Sequence, residues 1–187
     1  MSLRSKLFVA IVVTAGVGCR SVEPQPAESV QASAFPDDFV GLWRGPCEIW
    51  RFDGSKQELE MEFEVALVPG VVGPTRYRWT LRYLPDSGPV DERNYELLFT
   101  DDPGRFVVDE RNGIRLDSFW LGDRLVSRFE VRGTLLESVT RRIGGTVELS
   151  IVTGPVEPSG ESGGGEVSGV RGFALRTQQV ARMQRVP

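Results

Sequence analysis

The sequence predicts an all-β domain, an antiparallel meander barrel of about eight to ten strands, with a β-sandwich as the alternative architecture. Apolar and polar residues alternate with a period of two along many short runs. Turn residues separate these runs at intervals of roughly 8–12 residues, which is typical of antiparallel barrels and sandwiches. The body of the chain shows no convincing helical period.

The first clear strands show one apolar and one ionic face. Along residues 59–67 large apolar side chains alternate mostly with glutamate, and along residues 75–84 aromatic residues and leucine alternate mostly with arginine. Residues 93–100 continue the pattern in phase. Because a half-buried antiparallel strand turns alternate residues to water, we expect an apolar interior and cross-strand Glu–Arg pairs outside.

Turn signals divide the second half of the body into further strands. Asn112-Gly113 is the strongest two-residue hairpin signal. The remaining turn signals are Gly122-Asp123, Gly133 and Gly144-Gly145. Residues 154–169 are rich in glycine, serine, proline and glutamate, a composition that predicts a mobile loop before a last strand around Phe173–Leu175.

The first 18 residues predict an export signal. Arg4 and Lys6 precede an apolar run at residues 7–15, and small residues lead to Cys19. This run is about half as long as the roughly 20 residues that a transmembrane helix needs. The segment 1–18 therefore predicts a signal that is removed.

The segment also resembles a bacterial lipoprotein signal peptide, in which the cysteine after small residues is acylated. Val17, Gly18 and Cys19 fit that pattern, whereas Gly16 stands where leucine is usual. The resemblance implies lipid attachment at Cys19 to a bilayer of the bacterial cell envelope. Arg20 after the cysteine favours the outer membrane, facing the periplasm. Ordinary signal cleavage with a free Cys19 is the alternative.

Residues 19–37 are interpreted as the acylated cysteine and a flexible tether, and residues 38–187 as the barrel domain. The stretch from 21 to 36 contains three prolines and no apolar periodicity. Such a composition cannot bury a core. The order of a lipid anchor, a flexible tether and a folded domain is consistent with acylation at Cys19.

Composition excludes several function classes. The chain has no histidine, which rules out Ser-His-Asp and Cys-His catalysis and histidine-ligated zinc or haem. The net charge is −4, which argues against nucleic acid as a partner. Asp109, Glu110 and Asp117 flank the Asn-Gly turn and could form a carboxylate pair, but turn acids are usually solvated. The sequence therefore favours a protein without catalytic residues, metal or cofactor.

Gly41-Leu42-Trp43 at the first strand resembles the opening of the lipocalin and fatty-acid-binding (calycin) families. In these families the tryptophan closes one end of the barrel and a basic residue near the last strand packs on its face. The resemblance implies this role for Gly41, Trp43 and one of Arg171 and Arg176, with Arg176 preferred. Residues 41–45 are also similar to the nitrobindin opening, but those barrels hold haem through a histidine that is missing here.

A closed barrel would turn one aromatic-rich set of side chains inward. The expected inward set, and hence the expected pocket lining, is Phe63, Tyr77, Trp79, Tyr83, Tyr95 and Phe99. Aromatic rings with hydroxyl tips suit a small hydrophobic ligand with one polar end. The same side chains could instead fill the interior. The sequence thus leaves open a ligand-binding envelope lipoprotein and a structural or interaction lipoprotein with a filled barrel.

Overall fold

The computed structural model describes residues 35–70, 75–165 and 167–187. The predicted signal peptide 1–18, Cys19 and residues 20–34 of the predicted tether lie outside the described residues. The regular secondary structure of the described chain is β-strand, apart from one turn of 3-10 helix at Asp37–Phe39. Within the described part, no helix is both long and apolar enough to span a bilayer.

The strands follow one another with short connections, as the turn signals predict. They are β1 (Gly41–Arg51), β2 (Lys56–Leu67), β3 (Arg76–Leu84), β4 (Asp91–Phe99), β5 (Arg105–Asp109), β6 (Arg115–Leu121), β7 (Arg124–Val131), β8 (Thr134–Ile143), β9 (Thr146–Pro155), β10 (Gly160–Gly164), β11 (Val167–Gly172) and β12 (Thr177–Arg185).

Ten of these strands close into an antiparallel barrel. β1 to β9 pair in chain order, and β12 closes the wall by pairing with both β9 and β1. β10 and β11 form a separate two-stranded hairpin between β9 and β12. The predicted all-β meander barrel is therefore confirmed, and the fold is lipocalin-like, whereas the sandwich alternative is not observed.

Ion pairs cover the outer surface of β2, β3 and β4. The Arg82 guanidinium lies 3.0 Å from Glu64 on β2 and 2.6 Å from Glu92 on β4. Arg78 reaches Glu64 at 3.0 Å as well. Such exposed pairs contribute only about 0–1 kcal/mol each. Their main consequence is to keep this face of the strands turned to water, as predicted.

The barrel begins earlier than the predicted boundary at residue 38. The Phe35 ring stacks on Trp120 with 4.1 Å between ring centroids, and Pro36 is fully buried. Residues 35–37 therefore belong to the folded domain, and the predicted tether ends three residues too late. Composition misplaced this boundary because proline and small residues dominate the segment before Phe35.

The region 154–169 is not simply a loop. β9 extends to Pro155, and the hairpin of β10 and β11 follows. Gly163, Gly164 and Gly165 have positive φ angles, which let the chain reverse between the two strands. Glu161 and Arg171 pair across the hairpin at 3.2 Å. The glycines therefore form the turn of a hairpin. Their abundance in the sequence had predicted a mobile loop instead.

Candidate functional site

Trp43 closes one end of the barrel. Its indole is buried, and Nε1 donates a hydrogen bond of 2.7 Å to the carbonyl of Phe39. The Arg185 guanidinium lies 4.9 Å from the indole centroid and donates a bond of 2.6 Å to the carbonyl of Val40. Gly41 has a φ of 139°, and a Cβ there would lie 3.3 Å from the Arg185 guanidinium carbon. The Gly-x-Trp spacing therefore leaves room for this arginine.

The arginine nearest the Trp43 ring is Arg185, with Arg142 farther away at 6.0 Å, and not the predicted Arg176. Arg176 precedes β12, beside Trp50 and Phe52 at the opposite end of the barrel. The error came from placing the last strand too early. β12 starts at Thr177, and antiparallel pairing with β1 sets Trp43 opposite Arg185. Arg171, the other candidate, lies in the β10–β11 hairpin.

The 3-10 turn seals the same end, which we call the closed end. The Tyr77 hydroxyl donates a short hydrogen bond to the Asp37 carboxylate. Burial, together with that carboxylate, raises the pKa of Tyr77 to about 12. Asp38 pairs with Arg142 at 3.7 Å. The N-terminal segment is thus tied to β3 and β8, and the chain enters the domain at this end.

A cavity of about 510 Å³ lies inside the barrel between β3 and β9. Its apolar wall comprises Trp79, Leu81, Leu125, Phe129, Leu136 and Ile151. It is also bordered by Val131 at the end of β7, by Arg132 in the β7–β8 connection and by Glu110 after β5. Because antiparallel strands alternate in direction, these connections lie opposite the closed end. The cavity therefore opens at what we call the open end.

Small hydroxyl residues explain why the space is empty at β6, β7 and β8. Ser118, Ser127 and Ser138 are register partners on three neighbouring strands. The Ser118 and Ser127 hydroxyls lie 2.6 Å apart and satisfy each other. Ser138 and Thr140 also line the cavity, and their hydroxyls have no hydrogen-bond partner among the described residues. They are therefore available to a ligand.

The structure brings only two of the six expected pocket residues to the cavity. Trp79 and Tyr95 line it. Phe63 and Tyr77 are buried in the core, and Tyr83 is buried with its hydroxyl accepting a bond of 3.1 Å from Gln179. Phe99 packs edge-on against Phe106 at 5.1 Å near the closed end. The expectation emphasised aromatic residues, which fill space, and overlooked small residues, which create it.

Three charged groups stand at the open end of the cavity. Arg93 lies over the Tyr83 ring at 4.7 Å and pairs with Asp91 at 2.8 Å. Glu110 accepts a bond of 3.2 Å from Asn112. Arg132 makes no ion pair or hydrogen bond through its side chain with any described residue. Tyr95 also lines the cavity, and burial raises the pKa of its hydroxyl. Tyr95 is therefore neutral at physiological pH.

The acids flanking the Asn-Gly turn do not form a pair of their own. Asp109 binds Arg115 at 3.1 Å, and Asp117 binds Arg105 at 2.9 Å, both across the outer surface of β5 and β6. Glu110 alone reaches the cavity. In the part of the chain that the structure describes, no group of three or more acidic or cysteine side chains is placed to hold a metal ion.

No protein-family model and no curated protein matches the sequence. Among solved structures, the chain is similar to that of the S-type phycobiliprotein lyase CPES from Guillardia theta. The two share 10% sequence identity over 81% of this chain and 92% of that chain, with a TM-score of 0.57. The similarity supports the lipocalin-like barrel fold.

This comparison corrects one expectation from the sequence. The absence of histidine and of a carboxylate pair had favoured a protein that is not an enzyme. That inference is wrong, because a protein with the same barrel architecture is a lyase. The lack of those motifs and the presence of a barrel therefore give no ground for excluding catalysis.

Proposed function

We propose that this chain is a lipid-anchored protein of the bacterial cell envelope whose barrel binds a small, mostly apolar ligand. The observation that carries the binding function is the cavity between β3 and β9. Its volume of about 510 Å³ lies within the range of roughly 300–1,000 Å³ found for ligand pockets. The structure favours this function over the alternative of a filled barrel.

The lining indicates what kind of ligand fits. The walls are mostly leucine, isoleucine and aromatic side chains, which suit an apolar body. Ser138, Thr140 and Tyr95 offer hydroxyls, and Arg132 offers an unpaired cation at the opening. A ligand with an apolar body and a polar or anionic group would match both the apolar walls and these polar groups.

Ligand binding is tested by narrowing the cavity. Anilinonaphthalene sulfonate, a fluorescent probe with an apolar body and an anionic group, should bind the parent protein. Ser138→Phe places a ring in the cavity and should weaken binding at least about tenfold, since the probe and the ring compete for one volume. The matched control is Val139→Phe, because Val139 is the next residue on β8 and faces outward.

Two outcomes would refute the binding proposal. One is a parent protein that does not bind the probe and carries no small molecule detectable by mass spectrometry after exposure to a lipid extract. The other is equal probe affinity in Ser138→Phe and Val139→Phe. Far-ultraviolet circular dichroism of both variants shows whether the barrel has folded.

The proposed anchor is Cys19, in the outer membrane and facing the periplasm. Its support is the order of charged, apolar and small residues before the cysteine and the proline-rich tether after it. Mass spectrometry of the mature protein from a bacterial host should find an N-terminal, acylated Cys19. An intact N-terminus, or a Cys19→Ser variant that fractionates with membranes as fully as the parent, would contradict the proposal.

A further inference from the structure

Among the large apolar side chains exposed at the open end, four line two adjoining grooves beside the start of β12. We call them the rim patch: Trp50, Phe52, Phe173 and Leu175, exposed by 42%, 82%, 47% and 67% respectively. The Phe52 amide donates a bond of 2.9 Å to the carbonyl of Arg176, and the Arg176 amide donates one of 2.7 Å to Thr153. The backbone thus fixes both contributing segments against the barrel.

The rim patch adjoins the opening of the cavity. Residues 173–175 lie in a groove over Leu135 and Gly154, which are register partners on β8 and β9. A Cβ at Gly154 would lie 2.1 Å from the Ala174 carbonyl oxygen, so the close approach requires glycine there. Thr134, the neighbour of Leu135, lines the cavity. A surface that covers the rim patch would therefore also lie beside the entrance of the cavity.

Positive charge surrounds the rim patch although the whole chain carries −4. Arg51, Arg128 and Arg176 line the two adjoining grooves, against one acid, Glu137. Beside Trp50, Lys56 lies 4.9 Å from the ring centroid and pairs at 3.2 Å with Glu48, which accepts a bond of 3.4 Å from the Trp50 indole. Arg128 and Arg176 form no ion pair with any residue in the described ranges. The nearby carboxylate of Asp53 is turned into its own loop, where it accepts a bond of 2.9 Å from the Ser55 amide.

We propose that the rim patch docks the open end of the barrel on a bilayer that contains anionic lipid. Tryptophan, phenylalanine and leucine flanked by unpaired arginines are the composition that inserts shallowly into a lipid interface. Exposed aromatic side chains become buried among acyl chains, and the guanidinium groups meet anionic headgroups. The cavity entrance then lies at the surface of the bilayer, into which an apolar ligand partitions.

The length of the chain before the barrel permits this orientation. Residues 20–34 number fifteen, and an extended chain spans at most about 3.3–3.6 Å per residue, hence about 50 Å. A strand of about ten residues is roughly 33 Å long. An anchor at Cys19 therefore lets the open end reach the same bilayer, although the chain enters at the closed end. The reach of the open end to that bilayer depends on the proposed acylation of Cys19. The proposal that the rim patch binds a bilayer does not depend on it.

The test uses the barrel without its anchor, Ser33–Pro187, which forms one compact unit. Vesicles of phosphatidylcholine with phosphatidylglycerol should sediment this protein, and pure phosphatidylcholine vesicles should sediment less of it. Phe52→Ser with Leu175→Ser should lower the partition coefficient at least about tenfold, because two large apolar side chains no longer insert. Arg128→Gln with Arg176→Gln should reduce the preference for the anionic vesicles.

The matched control replaces two exposed leucines at the closed end. Leu67 and Leu121 are 54% and 58% exposed, and Leu67→Ser with Leu121→Ser should leave vesicle binding unchanged. The proposal fails if the parent does not sediment with anionic vesicles, or if the control pair loses as much binding as the rim pair. Probe binding in the cavity is measured without vesicles, so either proposal can fail alone.

Discussion

The two sides of the barrel follow one strand pattern with different side chains. On β1, β2 and β12 the inward residues include Cys47, Met61, Phe63 and Met183, all fully buried. On β7 and β8 the inward residues include Ser127 and Ser138, which border the cavity. We call these the filled side and the hollow side. The comparison teaches that alternation determines which residues face inward, and side-chain volume determines whether they form a core or a site.

The filled side gives the barrel its stability. Its inward side chains are fully buried, and burial raises the pKa of the Cys47 thiol to about 11. That thiol is therefore protonated and unreactive at physiological pH. The hollow side forgoes such contacts, since atoms that border an empty space have no partners there. The barrel thus tolerates a cavity because one side of it is well packed.

Truncating one phenylalanine on each side should give the largest contrast. Phe63→Ala removes a fully buried ring and should lower the free energy of unfolding by about 3–5 kcal/mol. Phe129→Ala should lower it by about 1 kcal/mol, because Phe129 already faces the cavity and is only half-buried. Urea unfolding followed by circular dichroism measures both. Equal losses would show that the two sides do not differ in packing.

Enlarging a small residue should have a different effect on each side. Cys47→Leu forces extra atoms into a filled interior and should destabilise the barrel by about 1–3 kcal/mol. Ser138→Leu enters the cavity and should change stability by less than about 1 kcal/mol while weakening probe binding. Paired urea unfolding and fluorescence titration check this. A Ser138→Leu variant as unstable as Cys47→Leu would indicate that the cavity closes in solution.

Sequence patterns predicted the strands well because alternation is a local property. The faces of β2 and β3, the turns at Asn112-Gly113 and Gly144-Gly145, and the barrel followed from residues close together in the chain. The position of Arg185 on Trp43 did not follow, because it depends on the register between the first and last strands. Phe35 directly follows a stretch rich in proline and small residues, and its place in the domain is shown only by its ring contacts, such as those with Phe106 and Trp120.

The cavity was the least predictable feature for a physical reason. An empty space depends on the summed volumes of inward residues from many strands, and no single motif records that sum. Small residues such as Ser127 and Ser138 carry a local signal, since they stand where the alternation would place an apolar residue. Aromatic residues at inward positions are ambiguous, because Phe63 fills the interior and Trp79 borders the cavity.

The closure at Trp43 gives a smaller test of the filled side. Arg185→Ala removes the nearer of the two guanidinium groups over the indole, together with the bond to the Val40 carbonyl, and should cost about 1–2 kcal/mol. Arg176→Ala is the matched control and should cost less than about 0.5 kcal/mol, because that side chain makes no ion pair with the described residues. The free energy of unfolding in urea measures both, and the reverse order would restore Arg176 as the closing residue.

The smallest effect should be a pH dependence at the closed end. The pKa of Tyr77 is about 12 in the folded barrel and about 10 in an unfolded chain. Because the folded state holds this proton more tightly, the contribution is fully present below about pH 10 and is lost as the pH rises towards 12. Tyr77→Phe removes the hydroxyl, so its unfolding free energy should fall less steeply between pH 10 and 12 than that of the parent. Parallel slopes would show that Asp37 does not hold the phenol proton, and that the 3-10 turn is attached to β3 through packing alone.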